Sequence, residues 1–167
     1  MRLARPVLFV CLPLAAALWG AAAQAGTVTV SYSENTQFTD AGPTPWEREA
    51  NLRKLSAYMQ SLGARYLPAD RNLSIEVLDV DLAGDVKPFR LRRPDVRVAR
   101  GTADWPRITL RYSLTGPDGQ VIRRGDDVVS DMNYLGHVAE ARAYDSLPYE
   151  KRMLDQWFKT RFVSTGD

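Results

Sequence analysis

Between Asp85 and Arg107 the chain carries Lys87, Arg90, Arg92, Arg93, Arg97, Arg100 and Arg107 against only Asp85, Asp95 and Asp104. A guanidinium offers a planar fork of donors that fits carboxylate or phosphate. Phe89 and Trp105 interleave with the run as stacking surfaces. This composition could recognise an anion, with Arg92, Arg93, Arg97, Arg100 and Arg107 as the binding residues. The plainer alternative is a solvated loop whose arginines pair with acids elsewhere, since surface charge often serves solubility alone.

A second stretch with chemical potential follows at Ser130–Asp145, a long connection of the kind that often carries function. Tyr134 is its candidate contact residue. Asp126, Asp127, Asp131 and Asn133 lie near His137, the only histidine, and could form a weak cation site. Hard cations want six or more oxygens, so the plainer reading is a solvated strand end and turn. An enzyme centred on Asp131, Asn133 and His137, hydrolytic or metal-dependent, is the rival to a binding role, because a histidine titrates near neutral pH.

Other chemistries find no support. The chain has no Gly-x-Ser-x-Gly elbow, His-Glu-x-x-His pair, Walker loop or Gly-x-Gly-x-x-Gly turn. Asp79, Asp81 and Asp85 resemble the opening of a calcium loop, but Ala83 stands at a ligand position and Arg90 where a bidentate glutamate belongs. No catalytic residue, metal site or cofactor is assigned.

The elements that must position these residues are legible from periodicity. Ile108, Leu110, Tyr112 and Leu114 alternate with polar residues, Gly116-Pro117-Asp118-Gly119 supplies turn chemistry, and Val121–Val129 returns as the second arm of a hairpin. Thr27–Tyr32 alternates as a first strand. Thr44-Pro45-Trp46-Glu47 is a helix start with a capping box. Leu52, Leu55, Met59 and Leu62 form the inward stripe of that helix, with Gly63 as its stop and Trp46 expected in the core. Leu73–Leu82 changes apolar phase between Val77 and Leu78, which predicts a β-bulge. A short strand is expected within Asp95–Arg100, built on Val96 and Val98. A last helix, capped by Asp145 or Ser146, turns Leu147, Leu154, Trp157, Phe158 and Phe162 inward. This order predicts an α+β fold: a two-layer sandwich with a mainly antiparallel sheet of four to five strands and two helices on one face.

Residues 1–25 have the layout of a cleaved signal peptide: a basic head at Arg2 and Arg5, an apolar run from Val7 to Leu18, and Ala23-Gln24-Ala25 as the processing site. The valine before Cys11 and the apolar run beyond it argue against lipidation. Removing the segment leaves 20 Lys+Arg against 20 Asp+Glu and takes away Cys11, the only cysteine. A neutral remainder gives no global attraction to nucleic acid, and a chain without cysteine has no thiolate chemistry or disulfide. Residues 26–167 are expected to form a single globular domain with no transmembrane segment, exported and most simply periplasmic.

Gly26-Thr-Val-Thr-Val30, Leu78-Asp-Val-Asp-Leu-Ala-Gly84, Asp95-Val-Arg-Val98, Trp105-Pro-Arg-Ile108, Ser130-Asp-Met-Asn-Tyr-Leu135 and Tyr149–Phe158 together resemble the secreted bacterial family known as domain of unknown function 3016. The resemblance runs over nearly all of Gly26 to Phe162. It implies an exported single-domain protein and carries no assigned site residues. The function expected is that of a non-enzymatic envelope protein binding a protein partner or an anionic lipid or glycan through the arginine-rich segment and the Ser130–Asp145 loop.

Overall fold

The computed structural model describes residues 26–33, 37–86, 97–101, 103–141 and 146–163. Among these residues there are six strands: β1 (Thr27–Tyr32), β2 (Asn72–Asp81), β3 (Asp85–Val86), β4 (Arg97–Val98), β5 (Arg107–Thr115) and β6 (Val121–Ser130). Three helices join them: α1 (Pro45–Tyr66), α2 (Val138–Ala141) and α3 (Pro148–Phe158). The main sheet runs β1-β2-β5-β6, while β3 and β4 form a separate two-stranded ribbon. β1 lies parallel to β2, and the other neighbours are antiparallel. A parallel pair needs a crossover, and α1 supplies it. The result is the expected α+β sandwich. Leu55, Met59 and Leu62 of α1 and Met153, Leu154, Trp157 and Phe158 of α3 share one core with Ile75, Val77, Ile108 and Leu110 of the sheet.

The hairpin of β5 and β6 forms as its sequence dictates. Gly119 N–H donates to Gly116 O at 3.1 Å, and Gly119 takes φ +76°, a conformation in which a side chain would be strained. The phase change in β2 is a shift in register against β5 between Val77 and Asp79. It lets Leu73, Ile75 and Val77 before it and Val80 and Leu82 after it all reach the core.

α1 starts on the capping box. Thr44 Oγ1 accepts from Glu47 N–H and the Glu47 carboxylate accepts from Thr44 N–H, both at 3.2 Å. Trp46, expected inside, is 72 % exposed. It precedes Leu55 by nine residues, and at about 100° per residue that puts it on the opposite side of the helix. Gly63 is not a stop either. The helix continues to Tyr66, and a Cβ at Gly63 would lie 2.1 Å from Val28 Cγ2. The glycine is there so that α1 can pack closely on β1.

α3 departs from expectation at its start. Its N-cap is Leu147 at φ +48°, with no side-chain cap, instead of Asp145 or Ser146. Leu147 packs against the core, and that burial offsets the strain of its left-handed backbone. Beyond Phe158 the chain makes one wider helical turn, Lys159–Val163. This turn brings Phe162 against Tyr112 and Trp157, with ring centroids 5.8 and 5.4 Å apart. The connection after β6 is also more regular than a loop, with a tight helical turn at Tyr134–His137 leading into α2. The short strand expected within Asp95–Arg100 is β4, paired with β3; Val96 lies outside the described residues. No described helix is long and apolar enough to cross a membrane.

Candidate functional site

The two candidate stretches meet at one end of the sheet. Asp104 organises the turn between β4 and β5, its carboxylate accepting from Arg100 N–H at 2.6 Å and Gly101 N–H at 2.9 Å. Gly101 holds φ +75° in this turn. From the other stretch, Tyr134 donates its hydroxyl to Asp104 Oδ1 at 2.9 Å and accepts from Gly101 N–H at 3.3 Å. Asp131 N–H donates to Pro106 O at 3.3 Å, so the chain leaving β6 is tied to the chain entering β5. The Tyr134 ring is buried and stands edge-on to Tyr149, centroids 4.9 Å apart.

The electrostatics follow from these contacts. Burial, together with the bond to Asp104, pushes the Tyr134 phenol up to about 12, so it stays a donor across the physiological range. Burial works to raise Asp104, but the bonds from Arg100 N–H, Tyr134 and Gly101 N–H outweigh it and hold the carboxyl below its usual value. The pair is therefore a fixed phenol–carboxylate bond.

The arginines of the run divide into different classes. Arg97 is consumed by the fold. Its Nε donates to Ala83 O at 3.0 Å, its terminal nitrogen reaches Leu82 O and Gly84 O, and it is ion-paired with Asp40. One side chain thus holds the base of the β3–β4 ribbon. Arg107 pairs with Asp81 at 2.9 Å across β5 and β2; burial raises the Asp81 carboxyl, and Arg107 works against that rise. Arg100 is exposed. Arg92 and Arg93 lie outside the described residues. The same end of the molecule also exposes Met132 (72 %) and Leu135 (39 %), and Leu135 Cδ1 would lie 2.7 Å from a Cβ at Gly101. Among the described residues this end thus exposes Arg100, Met132 and Leu135, with Leu135 packed beside Gly101, the neighbour of Arg100.

Glu150 braces this end from below. It is 2 % exposed, and its Oε1 accepts from Ala83 N–H at 2.7 Å. Burial raises its carboxyl, while the Ala83 bond and the charge of Arg97 work against that rise. Glu150, Asp40 and Asp104 were not legible as site residues, because each acts through a partner far away in sequence.

His137 lies on the other side of the Ser130–Asp145 connection. Its Nδ1 is 3.3 Å from Asp131 Oδ2, which also accepts from Arg152 at 2.9 Å. Asp131 Oδ1 accepts from Asn133 N–H at 3.1 Å, and Arg152 Nε donates to Glu140 at 2.6 Å. Asp131, His137, Arg152 and Trp157 border an open cleft of about 410 Å³ between β6 and α3. The acids proposed for a cation site do not converge. Asp126 bonds Arg111 at 3.0 Å on the outer face of β6, whereas Asp127 bonds Trp157 Nε1 at 2.8 Å and Arg161 at 2.7 Å on the inner face. Neighbours on a strand point to opposite faces. Among the described residues no group of three or more His, Cys, Asp or Glu is placed to hold a metal ion.

The family model described as Protein of unknown function (DUF3016) matches residues 26–160 of the chain. No curated protein and no solved structure matches it.

Proposed function

We propose that this chain, which belongs to the DUF3016 family, is a non-enzymatic binding protein whose contact surface is the sheet end built from residues 97–101, 103–107 and 131–137. The observation that carries the reading is the Tyr134–Asp104 bond. It joins the two stretches into one braced platform and leaves Arg100, Met132 and Leu135 exposed upon it. A cation flanked by apolar side chains suits an anionic partner that also buries carbon, and water-excluded charge pairs gain strength at such contacts. The signal-like layout of residues 1–25 supports export, and the periplasm as the working compartment. In that setting the anion is a lipid headgroup, a glycan phosphate or carboxylate, or an acidic protein face.

The test is retention on anionic vesicles, lipopolysaccharide and envelope proteins, comparing the native protein with an Arg100→Ala, Leu135→Ala variant. Arg97 is left intact because its loss would disturb the fold. Reduced retention supports the reading, and unchanged retention on every component overturns it.

The imidazole–carboxylate contact of His137 and Asp131 beside a cleft favours a second reading, a general-base or metal-assisted enzyme. Against it, Asp131 is shared with Arg152 and Asn133 N–H, which makes it a strut between β6 and α3. Metal addition that raises the Tm of the native protein but not of His137→Ala would favour the enzyme. A Tm unmoved by metals and chelators removes the metal-dependent version.

A further inference from the structure

β6 is an edge strand, ten residues long, with Val121, Ile122 and Val128 half or more exposed. An edge of this length presents unpaired backbone groups to any second strand. Its sequence, Ile122-Arg123-Arg124-Gly125-Asp126-Asp127-Val128, reads as its own complement when reversed about Gly125. Laid antiparallel against a second copy with the two Gly125 residues opposed, Ile122 faces Val128, Arg123 faces Asp127 and Arg124 faces Asp126, each pair occurring twice. We propose that the protein forms a two-fold symmetric dimer through β6, joining two four-stranded sheets into one of eight strands.

Self-complementarity about one point is what an isologous interface requires, since each residue must fit the copy of the one it meets. The outer face supplies the free charge. Arg124 is exposed, and its guanidinium has no acceptor among the described residues of its own chain. Asp126 is held by Arg111 on one side, and its carboxylate retains capacity for a second donor. On the inner face Arg123 and Asp127 are already engaged with Arg161, so the outer pair carries the recognition. Gly125 lies at the centre, with an open recess of about 610 Å³ lined by Arg111, Arg124, Gly125 and Asp126 where a second backbone would approach. Its inner side is filled by Tyr112, which a Cβ would meet at 3.2 Å. The register of β6 against β5 shifts between Leu114 and Thr115 and leaves Ile122 as the extra residue, so the regular edge runs from Arg123 and holds both charged pairs. A foreign acidic or basic strand would meet like charge along half of this edge. A second copy meets opposite charge at every charged position.

Sedimentation of the protein over a range of concentration is expected to show a reversible monomer–dimer equilibrium. Arg124→Asp and Asp126→Arg each place like charges opposite one another twice per dimer, and each alone should weaken dimerisation at least about tenfold. Mixing the two variants restores both opposite-charge pairs, so the mixture should dimerise as the native protein does. In a Cys11→Ser background, Ile122→Cys mixed with Val128→Cys should form a disulfide-linked dimer on oxidation, and neither alone should. A protein monomeric at every concentration overturns the proposal. So does a dimer that ignores both charge reversals, or cysteine variants that cross-link equally well alone.

Discussion

Tyr134 and Asp104, 30 residues apart in sequence, are joined by a hydrogen bond of 2.9 Å that ties the chain leaving β6 to the turn before β5. This bond makes one surface of two loops, and the consequences for stability and binding can be measured separately.

Tyr134→Phe keeps the ring against Tyr149 and removes only the hydroxyl. Losing a bond to a carboxylate is expected to cost about 1–3 kcal/mol, read as a lower urea midpoint with an unchanged slope. Arg100→Ala, on the exposed side of the same turn, should leave stability within about 0.5 kcal/mol while lowering retention on the anionic partner. If Tyr134→Phe is as stable as the native protein, the bond is not the brace described.

Arg97→Ala should destabilise far more than Arg100→Ala although both lie in the same run. Arg97 serves three carbonyls and the Asp40 carboxylate at the base of the β3–β4 ribbon. Leaving that partly buried carboxylate and those carbonyls without their donor is expected to cost about 2–4 kcal/mol, measured by chemical denaturation. Equal costs for the two variants would contradict the division of the arginines into structural and exposed classes.

Gly63→Ala tests the close packing of α1 on β1. Alanine favours a helix interior over glycine by about 1 kcal/mol, yet its Cβ would meet Val28 Cγ2 at 2.1 Å. Overpacking should win, with a net loss of about 1–2 kcal/mol and a lower Tm. Adding Val28→Ala should recover part of that loss, since it removes the methyl the new Cβ strikes. A Gly63→Ala protein with a raised Tm would show that the glycine has no packing role.

Glu150 makes stability depend on pH in a defined direction. Burial raises its carboxyl above the ordinary 4.5 in the folded protein, so the folded state binds that proton more tightly than the unfolded state. Its contribution is full below about pH 4.5 and is lost as pH rises through the folded value. Glu150→Gln lacks this dependence. The stability of the native protein relative to Glu150→Gln should therefore fall as pH rises above the ordinary carboxyl value of 4.5. A difference independent of pH, or one that grows with pH, would contradict the burial of an ionisable Glu150.

The elements were legible because each rests on local pattern. Alternation located β1 and β5, the turn at Gly116–Gly119 with the apolar run after it located β6, the phase slip at Val77-Leu78 located the bulge, and Thr44-Pro45-Trp46-Glu47 located the start of α1. What escaped depends on contacts distant in sequence. Trp46 looked like core by type but sits half a turn away from the buried stripe. Gly63 looked like a helix stop, whereas its purpose is set by Val28, 35 positions earlier. Arg97 looked identical to Arg100 until Ala83 O and Asp40 appeared beside one of them and solvent beside the other. Tyr134 was legible as a candidate, but Asp104 as its partner was not.

The most direct measurement of the binding surface is retention on vesicles rich in anionic lipid, on lipopolysaccharide and on envelope proteins, for the native protein and for Arg100→Glu combined with Met132→Asp. Both substituted side chains are exposed, so the fold should persist, as circular dichroism would report. The native protein is expected to be retained by at least one of the three. Retention should weaken as salt rises well above about 0.1 M, where charges are screened over about 10 Å, and should fall at least about tenfold in the double variant. Native retention matched by the variant, or no retention on any of the three, would contradict the assignment of this end of the sheet as the contact surface.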